Sequence, residues 1–262
     1  MKARRKLSFS ALVYWSTIAF LFLPLAVLLV YSFNSSKSGT WTGFSLVWYE
    51  KLVFGSPELW KAFANSLVVA LGSASAATLL GTLAAVGTNR FRFRGRAAVQ
   101  ALSFVPMILP EIVVGVSLLV FFAGVGLKLG MATVLIAHTT FNLPFVFLLV
   151  SARLEEFDSS IVEAARDLGA NERQTLFRVI VPMALPGVAS GFLTAVTLSL
   201  EDFVITFFVS GPGSTTLPLY IYSMIRFGVS PVINALSAVM VAGTIALVYP
   251  LRNFLKTFAA QS

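Results

Sequence analysis

Six apolar runs, separated by charged or turn-forming segments, constrain this chain more than any other feature. Each is close to the roughly 20 residues that a helix needs to cross the hydrocarbon core of a bilayer. Helices satisfy their own backbone hydrogen bonds without water, so a helical bundle is expected there. We therefore predict an all-α membrane protein with six transmembrane helices, at about Ser10–Phe33, Phe63–Thr88, Ala97–Phe122, Met131–Val150, Gly187–Phe208 and Val232–Leu251.

Composition supports lipid as the solvent of this chain. Of its 262 residues, 57% are hydrophobic and 11% are charged, whereas about a quarter of the residues of an ordinary soluble domain are charged. Too few polar side chains remain to coat a water-soluble core of this apolarity.

The positions of lysine and arginine predict the orientation. Fourteen of the 19 basic residues lie at the amino terminus, after the second and fourth runs, and in the carboxy-terminal tail. Because basic residues concentrate on the cytoplasmic side, both termini are predicted to be cytoplasmic. The formal charge of +8 is thus explained by topology, and no nucleic-acid partner is expected.

The chain lacks the usual signatures of catalysis and of metal binding. It has no cysteine and no G-x-x-x-x-G-K-[S/T] loop, so neither a thiolate metal site nor a nucleotide site is expected. His138 is the one histidine. It lies in the fourth run with no evident partner, so a packed or water-facing histidine is expected rather than a ligand. We predict a non-enzymatic chain without its own cofactor or metal.

A polar insertion follows the fourth run. Ten of the 29 residues in 153–181 are charged, so this segment must face water or protein. Ser160 and Glu163 have the spacing of a capping box, which predicts a helix that ends near Leu168. Gly169 then suits the left-handed conformation that stops a helix.

A second short helix is predicted after that glycine. Asn171 is a favourable N-cap, and Pro182 and Pro186 are expected to end the helix near Ile180, before the fifth run. The residues by themselves leave two interpretations about equally open. The helical hairpin either only links two spans or docks another protein.

The same stretch resembles the EAA loop of binding-protein-dependent ABC importer permeases. The resemblance implies a type I ABC importer permease fold and a coupling helix that docks on an ATP-binding subunit. The residues that carry it are Glu163, Ala164, Ala165, Asp167, Leu168, Gly169, Ala170, Phe177, Val179, Pro182, Pro186 and Gly187. The first seven are the expected ATPase-coupling residues.

The resemblance also implies partners, location and domain boundaries. The partners are a second permease subunit, two ATP-binding subunits that carry ATP and Mg, and a periplasmic solute-binding protein, in a bacterial inner membrane. Residues 1–58 form the amino-terminal tail, first span and outer loop. Residues 59–252 form the core, including the coupling loop 153–187, and residues 253–262 form the cytoplasmic tail.

The carboxy-terminal third resembles one subfamily. "SLEDFVITFFVSG" at 199–211 and "TLPLYIYSMIRFGVSPVINALS" at 216–237 are similar to the second permease subunit of spermidine/putrescine importers. This similarity implies a cationic solute such as putrescine or spermidine. Related permeases carry other small solutes, including aminoethylphosphonate, which stays an alternative.

Three carboxylates inside predicted spans support a cation. They are Glu111, Glu201 and Asp202. A charge in the membrane costs several kcal/mol unless it faces a partner or a wet cavity. Straight helices would place Glu111 and Glu201 at one depth, about 21 Å from the cytoplasmic boundary. A kink of the third span at Pro106 or Pro110 would change this depth by a turn. These acids are the predicted substrate-pathway residues.

Other roles for these acids stay open at this point. They could cap helices or accept backbone N–H groups, and Glu111 could be structural beside its prolines. In an ion-coupled secondary transporter the same acids would form the coupling-ion relay. A channel is a further alternative, although no repeated filter motif is evident.

Overall fold

The computed structural model describes residues 9–37, 39–156, 158, 160–227 and 230–259. Helices make up nearly all of this part of the chain, and its one β interaction is an isolated bridge between Asn34 and Phe44. The helices are α1 Phe9–Tyr31, α2 Val47–Phe54, α3 Pro57–Arg90, α4 Arg96–Ile108, α5 Glu111–Gly124, α6 Met131–Glu155, α7 Ser160–Asp167, α8 Glu172–Thr175, a π-helical segment Leu176–Ile180, α9 Val181–Glu201, α10 Val204–Val209, α11 Leu217–Phe227 and α12 Pro231–Ala259.

Two compact units divide the chain: 58–222, and 1–57 together with 223–262. The predicted division at residues 58 and 252 stays a prediction. Each unit is built from helices that pack through apolar and small side chains.

Helix α6 lies at the centre of the unit 58–222. It packs against α4, α5, α9 and α10. A buried cluster joins Val146, Phe147 and Val150 of α6 to Ala77 of α3 and Ala195 of α9. The shared alanines let the backbones of three helices approach closely, which is how helices associate in lipid without a hydrophobic driving force between them.

Two glycines make a close contact of three helices in this unit possible. A Cβ on Gly81 of α3 would lie 2.9 Å from Val146 Cγ1, and one on Gly191 of α9 would lie 3.2 Å from the same atom. Val146 is fully buried. The α3–α6–α9 packing therefore depends on the absence of two side chains around one valine.

In the other unit, α12 packs against α1 and α2. The loop after α1 is anchored by Trp48 of α2, which is buried and donates from Nε1 to the backbone oxygen of Asn34 at 2.6 Å. The Tyr49 hydroxyl meets that of Ser32 at 2.7 Å. Helix α1 has no buried residue, so the face that does not pack on α12 is available to lipid or to another subunit.

Most of the predicted spans correspond to apolar helices. Four helices in the described part of the chain are long and apolar enough to cross a membrane, at 9–31, 57–90, 131–155 and 172–201. The bent pair α4–α5 makes a possible fifth. The sixth predicted span lies on α12, whose apolar described stretch is Pro231–Ala246. The total of six spans stays a prediction.

The third predicted span is not one continuous helix, and its bend is larger than a proline kink. Helices α4 and α5 meet at an angle of 110°, with Leu109 and Pro110 extended between them at ψ values of 138° and 136°. A residue before proline is driven out of the helical region, and the proline itself lacks an amide donor. Because α4 and α5 are not one straight helix, the number of residues between Ala97 and Glu111 does not give the depth of Glu111 in the membrane.

The fifth span also differs from its prediction. It was expected to begin after a helix stop at Pro182 and Pro186, but α8, the π-helical segment and α9 run on through both prolines as one helical stretch, 172–201. The wider π turn just before Val181 accommodates the ring of Pro182, since π-bulges relieve the local i→i−4 pattern. The stretch is instead interrupted farther along, at Asp202 and Phe203, before α10 begins.

Candidate functional site

The coupling loop ends its first helix as predicted. Gly169 has φ +84°. Its amide donates to the Arg166 carbonyl at 2.8 Å, and the Ala170 amide donates to the Ala165 carbonyl at 3.0 Å. This pair of bonds is the Schellman motif, which satisfies the last carbonyls of α7.

The start of α7 differs from the predicted box of Ser160 and Glu163. The Asp158 carboxylate accepts from the Ser160 amide at 2.9 Å. Hydrogen bonds from the Ser160 amide, and then from its hydroxyl, lower the pKa of Asp158. In the predicted box the Glu163 carboxylate accepts from the Ser160 amide, and Asp158 takes that place instead.

The N-cap of the second helix is confirmed. The Gln174 amide donates to Asn171 Oδ1, and the Asn171 amide donates to Gln174 Oε1, each at 2.9 Å. Two otherwise unpaired backbone donors are satisfied reciprocally. The turn between the two helices is therefore fixed by local bonds alone.

The outer surface of this loop is open. Leu168 is 89% exposed and Phe177 is 60% exposed. Ala165, Leu168, Gly169 and Ala170 border a shallow cavity of about 360 Å³. The seven predicted coupling residues are all exposed or half-buried. No described residue of the unit covers this mixed apolar and polar surface.

A second polar site lies where the fifth span breaks. The Asp202 carboxylate accepts from the backbone amides of Ile205 at 3.1 Å and Thr206 at 2.9 Å. The Thr206 hydroxyl donates to Asp202 Oδ2 at 2.8 Å. Asp202 is thus the helix cap of α10, the alternative that the sequence left open, and its side chain is only 3% exposed.

The expectation that His138 has no partner is wrong. The imidazole is 1% exposed. Its Nδ1 lies 2.7 Å from the Ser199 hydroxyl, and its Nε2 lies 2.9 Å from the Thr206 hydroxyl and 3.2 Å from Asp202 Oδ2. The expected packed histidine is confirmed, but it packs within a hydrogen-bonded network.

The network continues into α3 and deeper into α6. The Ser73 hydroxyl lies 3.4 Å from that of Ser199, and Asn142 Nδ2 lies 3.5 Å from Ser73 Oγ. All of these side chains are buried. Polar groups from α3, α6, α9 and α10 therefore meet around one interrupted span.

The other two predicted pathway acids are placed differently from Asp202. Glu201 ends α9 and is exposed, and Glu111 begins α5 and is also exposed. Helices α5 and α10 pack together, with Gly115 against Ile205 and Phe208. The helices that follow the two breaks, α5 and α10, therefore pack against each other. No hydrogen bond or ion pair joins Glu111 to Glu201 or Asp202 in the described part of the chain.

Sequence reasoning missed Ser199 and Thr206, and it left His138 without a role. A signal was present, since Ser199 lies three residues before Asp202 and Thr206 lies four residues after it, the spacing of helical neighbours. The contribution of α6 could not be read this way because it depends on tertiary packing.

Comparison with protein families agrees with this architecture. Residues 77–255 match the family described as binding-protein-dependent transport system inner membrane component. A bacterial ABC transporter involved in the import of the acidic polysaccharide alginate has a similar structure, with a TM-score of 0.70, 17% identity, and coverage of 93% of this chain and 94% of that chain. At this identity the similarity shows the fold alone.

Two Escherichia coli (strain K12) proteins are similar in sequence over most of their lengths. The spermidine/putrescine transport system permease protein PotC is 45% identical over 231 residues, which cover 88% of this chain and 87% of PotC. The putrescine transport system permease protein PotI is 44% identical over 237 residues, which cover 87% of this chain and 84% of PotI.

Proposed function

Because this chain belongs to the family of binding-protein-dependent transport system inner membrane components, we propose that it is the permease subunit of an ATP-driven importer of putrescine or spermidine. The observation that carries the choice of solute is the identity of 45% and 44% with two polyamine permeases over nearly nine-tenths of the chain. The alginate transporter shows that the fold by itself does not set the solute.

The charges at the two breaks support a cationic solute. Glu111 and Glu201 are exposed carboxylates beside interrupted spans, and α5, α9 and α10 contain no lysine or arginine. A pathway with this charge attracts a cation and repels an anion. Diamines and triamines are the small solutes that match several spaced carboxylates.

The coupling loop supports a role for external ATPase subunits. The chain has no phosphate-binding loop of its own, and the surface around Leu168 and Gly169 is open within its unit. One of two ATP-binding subunits, which hold ATP and Mg, docks there, and the other docks on the partner permease. Their closure moves α7 and rocks the spans of this chain against a second permease, so that the site faces outward and then inward. A periplasmic protein delivers the solute.

This arrangement requires six spans with both termini in the cytoplasm. The chain has no cysteine, so single cysteines can be placed without a background of native thiols. In right-side-out vesicles, a membrane-impermeant maleimide should label Phe54→Cys, and it should reach Leu168→Cys only after permeabilisation. Both wild-type side chains are more than four-fifths exposed, which makes them a matched pair. Labelling in the opposite order would overturn the proposed orientation.

Uptake by the complete importer in proteoliposomes tests the solute. Labelled spermidine, putrescine and aminoethylphosphonate are offered with the binding protein outside and ATP inside. Saturable, ATP-dependent uptake of either polyamine supports the proposal, and uptake of aminoethylphosphonate alone overturns it. Accumulation driven by an ion gradient without ATP would instead support the secondary transporter.

A further inference from the structure

We propose that His138 is a positioning residue for solute translocation. It holds Asp202 as the cap of α10, and this cap presents the neighbouring Glu201 to the solute. The inference rests on the proposed function, because it assigns a role within the same cation pathway. Its basis is the hydrogen-bonded network of His138, Asp202, Ser199 and Thr206.

The hydrogen bonds around His138 can be assigned with one consistent donor and acceptor at each atom. Thr206 donates its hydroxyl proton to Asp202 Oδ2, so its oxygen can only accept from His138 Nε2, 2.9 Å away. The proton of a neutral imidazole must then lie on Nε2, where it also faces Asp202. Nδ1 is left as the acceptor for the Ser199 hydroxyl at 2.7 Å.

The hydrogen bonds of Ser199, Ser73 and Asn142 extend this network. The Ser199 hydroxyl gives its proton to His138, so its oxygen accepts from Ser73. Ser73 in turn accepts from Asn142 Nδ2. The protons of Ser199, His138 and Thr206 are thus directed toward Asp202, whereas the Ser73 hydroxyl also lies 3.4 Å from the Ala70 carbonyl. The network therefore serves one buried carboxylate.

Asp202 is poorly placed to bind a solute itself. Its two oxygens already face the amides of Ile205 and Thr206, the Thr206 hydroxyl and His138 Nε2. A solute ammonium would have to displace one of these donors from a side chain that is almost wholly buried. Glu201, one peptide bond away, is exposed. Direct contact with a cation is thus assigned to Glu201, and orientation to Asp202.

His138 connects this cap to a different helix. Without it, Asp202 would be held only by residues of its own span, because Ile205 and Thr206 both lie in α10. Histidine on α6 fixes the break against the helix that also packs on α4 and α9. The direction of the Glu201 backbone then depends on α6.

Two substitutions of His138 distinguish the role of Nε2 from the role of Nδ1. In His138→Gln the side-chain amide nitrogen takes the place of Nε2 and keeps a donor toward Asp202. In His138→Asn the shorter amide reaches only the position of Nδ1, near Ser199. Since hydrogen bonds to a charged group are worth more than neutral ones, we expect His138→Asn to raise the KM for spermidine by about tenfold and His138→Gln by less than about threefold.

The measurement is uptake and ATP hydrolysis by the complete importer in proteoliposomes. ATPase turnover at saturating spermidine should stay within about twofold of wild type in both variants. Thr139→Ala is the matched control, because it removes a polar side chain beside His138 whose hydroxyl donates to the Leu135 carbonyl of its own helix, outside the network. It should leave KM unchanged.

Each outcome decides the proposal. It is overturned if His138→Asn and His138→Gln share one KM, or if Thr139→Ala raises KM as much as His138→Asn does. If His138→Asn does not assemble, Ser199→Ala provides the test through the Nδ1 side, with an expected rise of about threefold. An unchanged KM there overturns the positioning role. A wild-type importer that takes up no polyamine would overturn the proposed function as well, whereas normal wild-type uptake confines any failure to His138.

Discussion

The coupling loop and the break in the fifth span are both helix–turn–helix interruptions capped by a short polar side chain, but they are stabilised differently. In the loop, Gly169 adopts the left-handed conformation, and Asn171 exchanges bonds with Gln174 three residues away. At the break, no glycine is present. Asp202 relies on Thr206 in its own span and on His138, more than 60 residues earlier in the chain.

The solvent explains this difference. Water can satisfy backbone groups that a loop leaves unpaired, so local caps are sufficient in the coupling loop. In the hydrocarbon region an interrupted helix is tolerated only where protein groups or a water-filled cavity supply the missing partners. An interruption of a helix inside the membrane is therefore stabilised by side chains of other spans, and its geometry depends on how those spans pack.

Removing the cap of the membrane break should have the largest effect on stability. Asp202→Ala would leave the amides of Ile205 and Thr206 and the Thr206 hydroxyl without their acceptor. We expect a loss of about 3 kcal/mol or more, since stranded buried donors are costly. Thermal unfolding of the assembled complex in nanodiscs measures it.

Asp167→Ala is the control for that experiment, because this acid is exposed at the end of α7. Its effect should stay within about 0.5 kcal/mol. Equal destabilisation by the two alanines would break the contrast between the buried and the exposed interruption.

Replacing the glycine of the coupling loop should have the next largest effect on stability. Gly169→Ala forces a side chain into φ +84°, at an expected cost of about 1–2 kcal/mol. Gly95→Ala meets similar strain at φ +96°, and neither position has a neighbouring atom within 4 Å. If the loop docks the ATPase, only Gly169→Ala should lower solute-stimulated ATP hydrolysis. Equal losses in both variants would remove the docking role.

Neutralising the exposed acid at the break should change affinity more than stability. Glu201→Gln should raise the KM for spermidine about fivefold, or about 1 kcal/mol, since an exposed charge acts through partly screened attraction. The triamine should lose more affinity than putrescine does. Glu172→Gln, an exposed acid in α8, serves as the control in the same uptake assay. An unchanged KM for Glu201→Gln would exclude that side chain from the pathway.

The smallest expected effect concerns the local cap of the loop. Asn171→Ala removes the acceptor for the Gln174 amide and should cost about 1 kcal/mol. Asn171→Ser should restore most of it, because serine is also a good N-cap. Protection of the Gln174 amide from hydrogen exchange measures both. If alanine and serine protect it equally, the cap is not what orders this turn.

Several elements were predictable because their causes are local. The polar insertion, its glycine stop and the Asn171 cap follow from residues within four positions of one another. The predictions failed at Pro182, where a π turn carries the helix through, and at Pro110, where one expected span becomes two helices bent by 110°. In both cases the proline was recognised, but its effect depended on the backbone around it.

The sequence by itself determined that this chain is a membrane protein and which family it resembles. It also determined the distribution of the basic residues and the position of the polar loop. These properties follow from composition and short-range spacing. Only the tertiary structure decided that the one histidine is joined to the acid of the fifth span, and that Asp202 is enclosed while Glu201 is exposed. The physical reason is that a buried charge is stabilised by whichever helix packs beside it, and that neighbour is not encoded within the span.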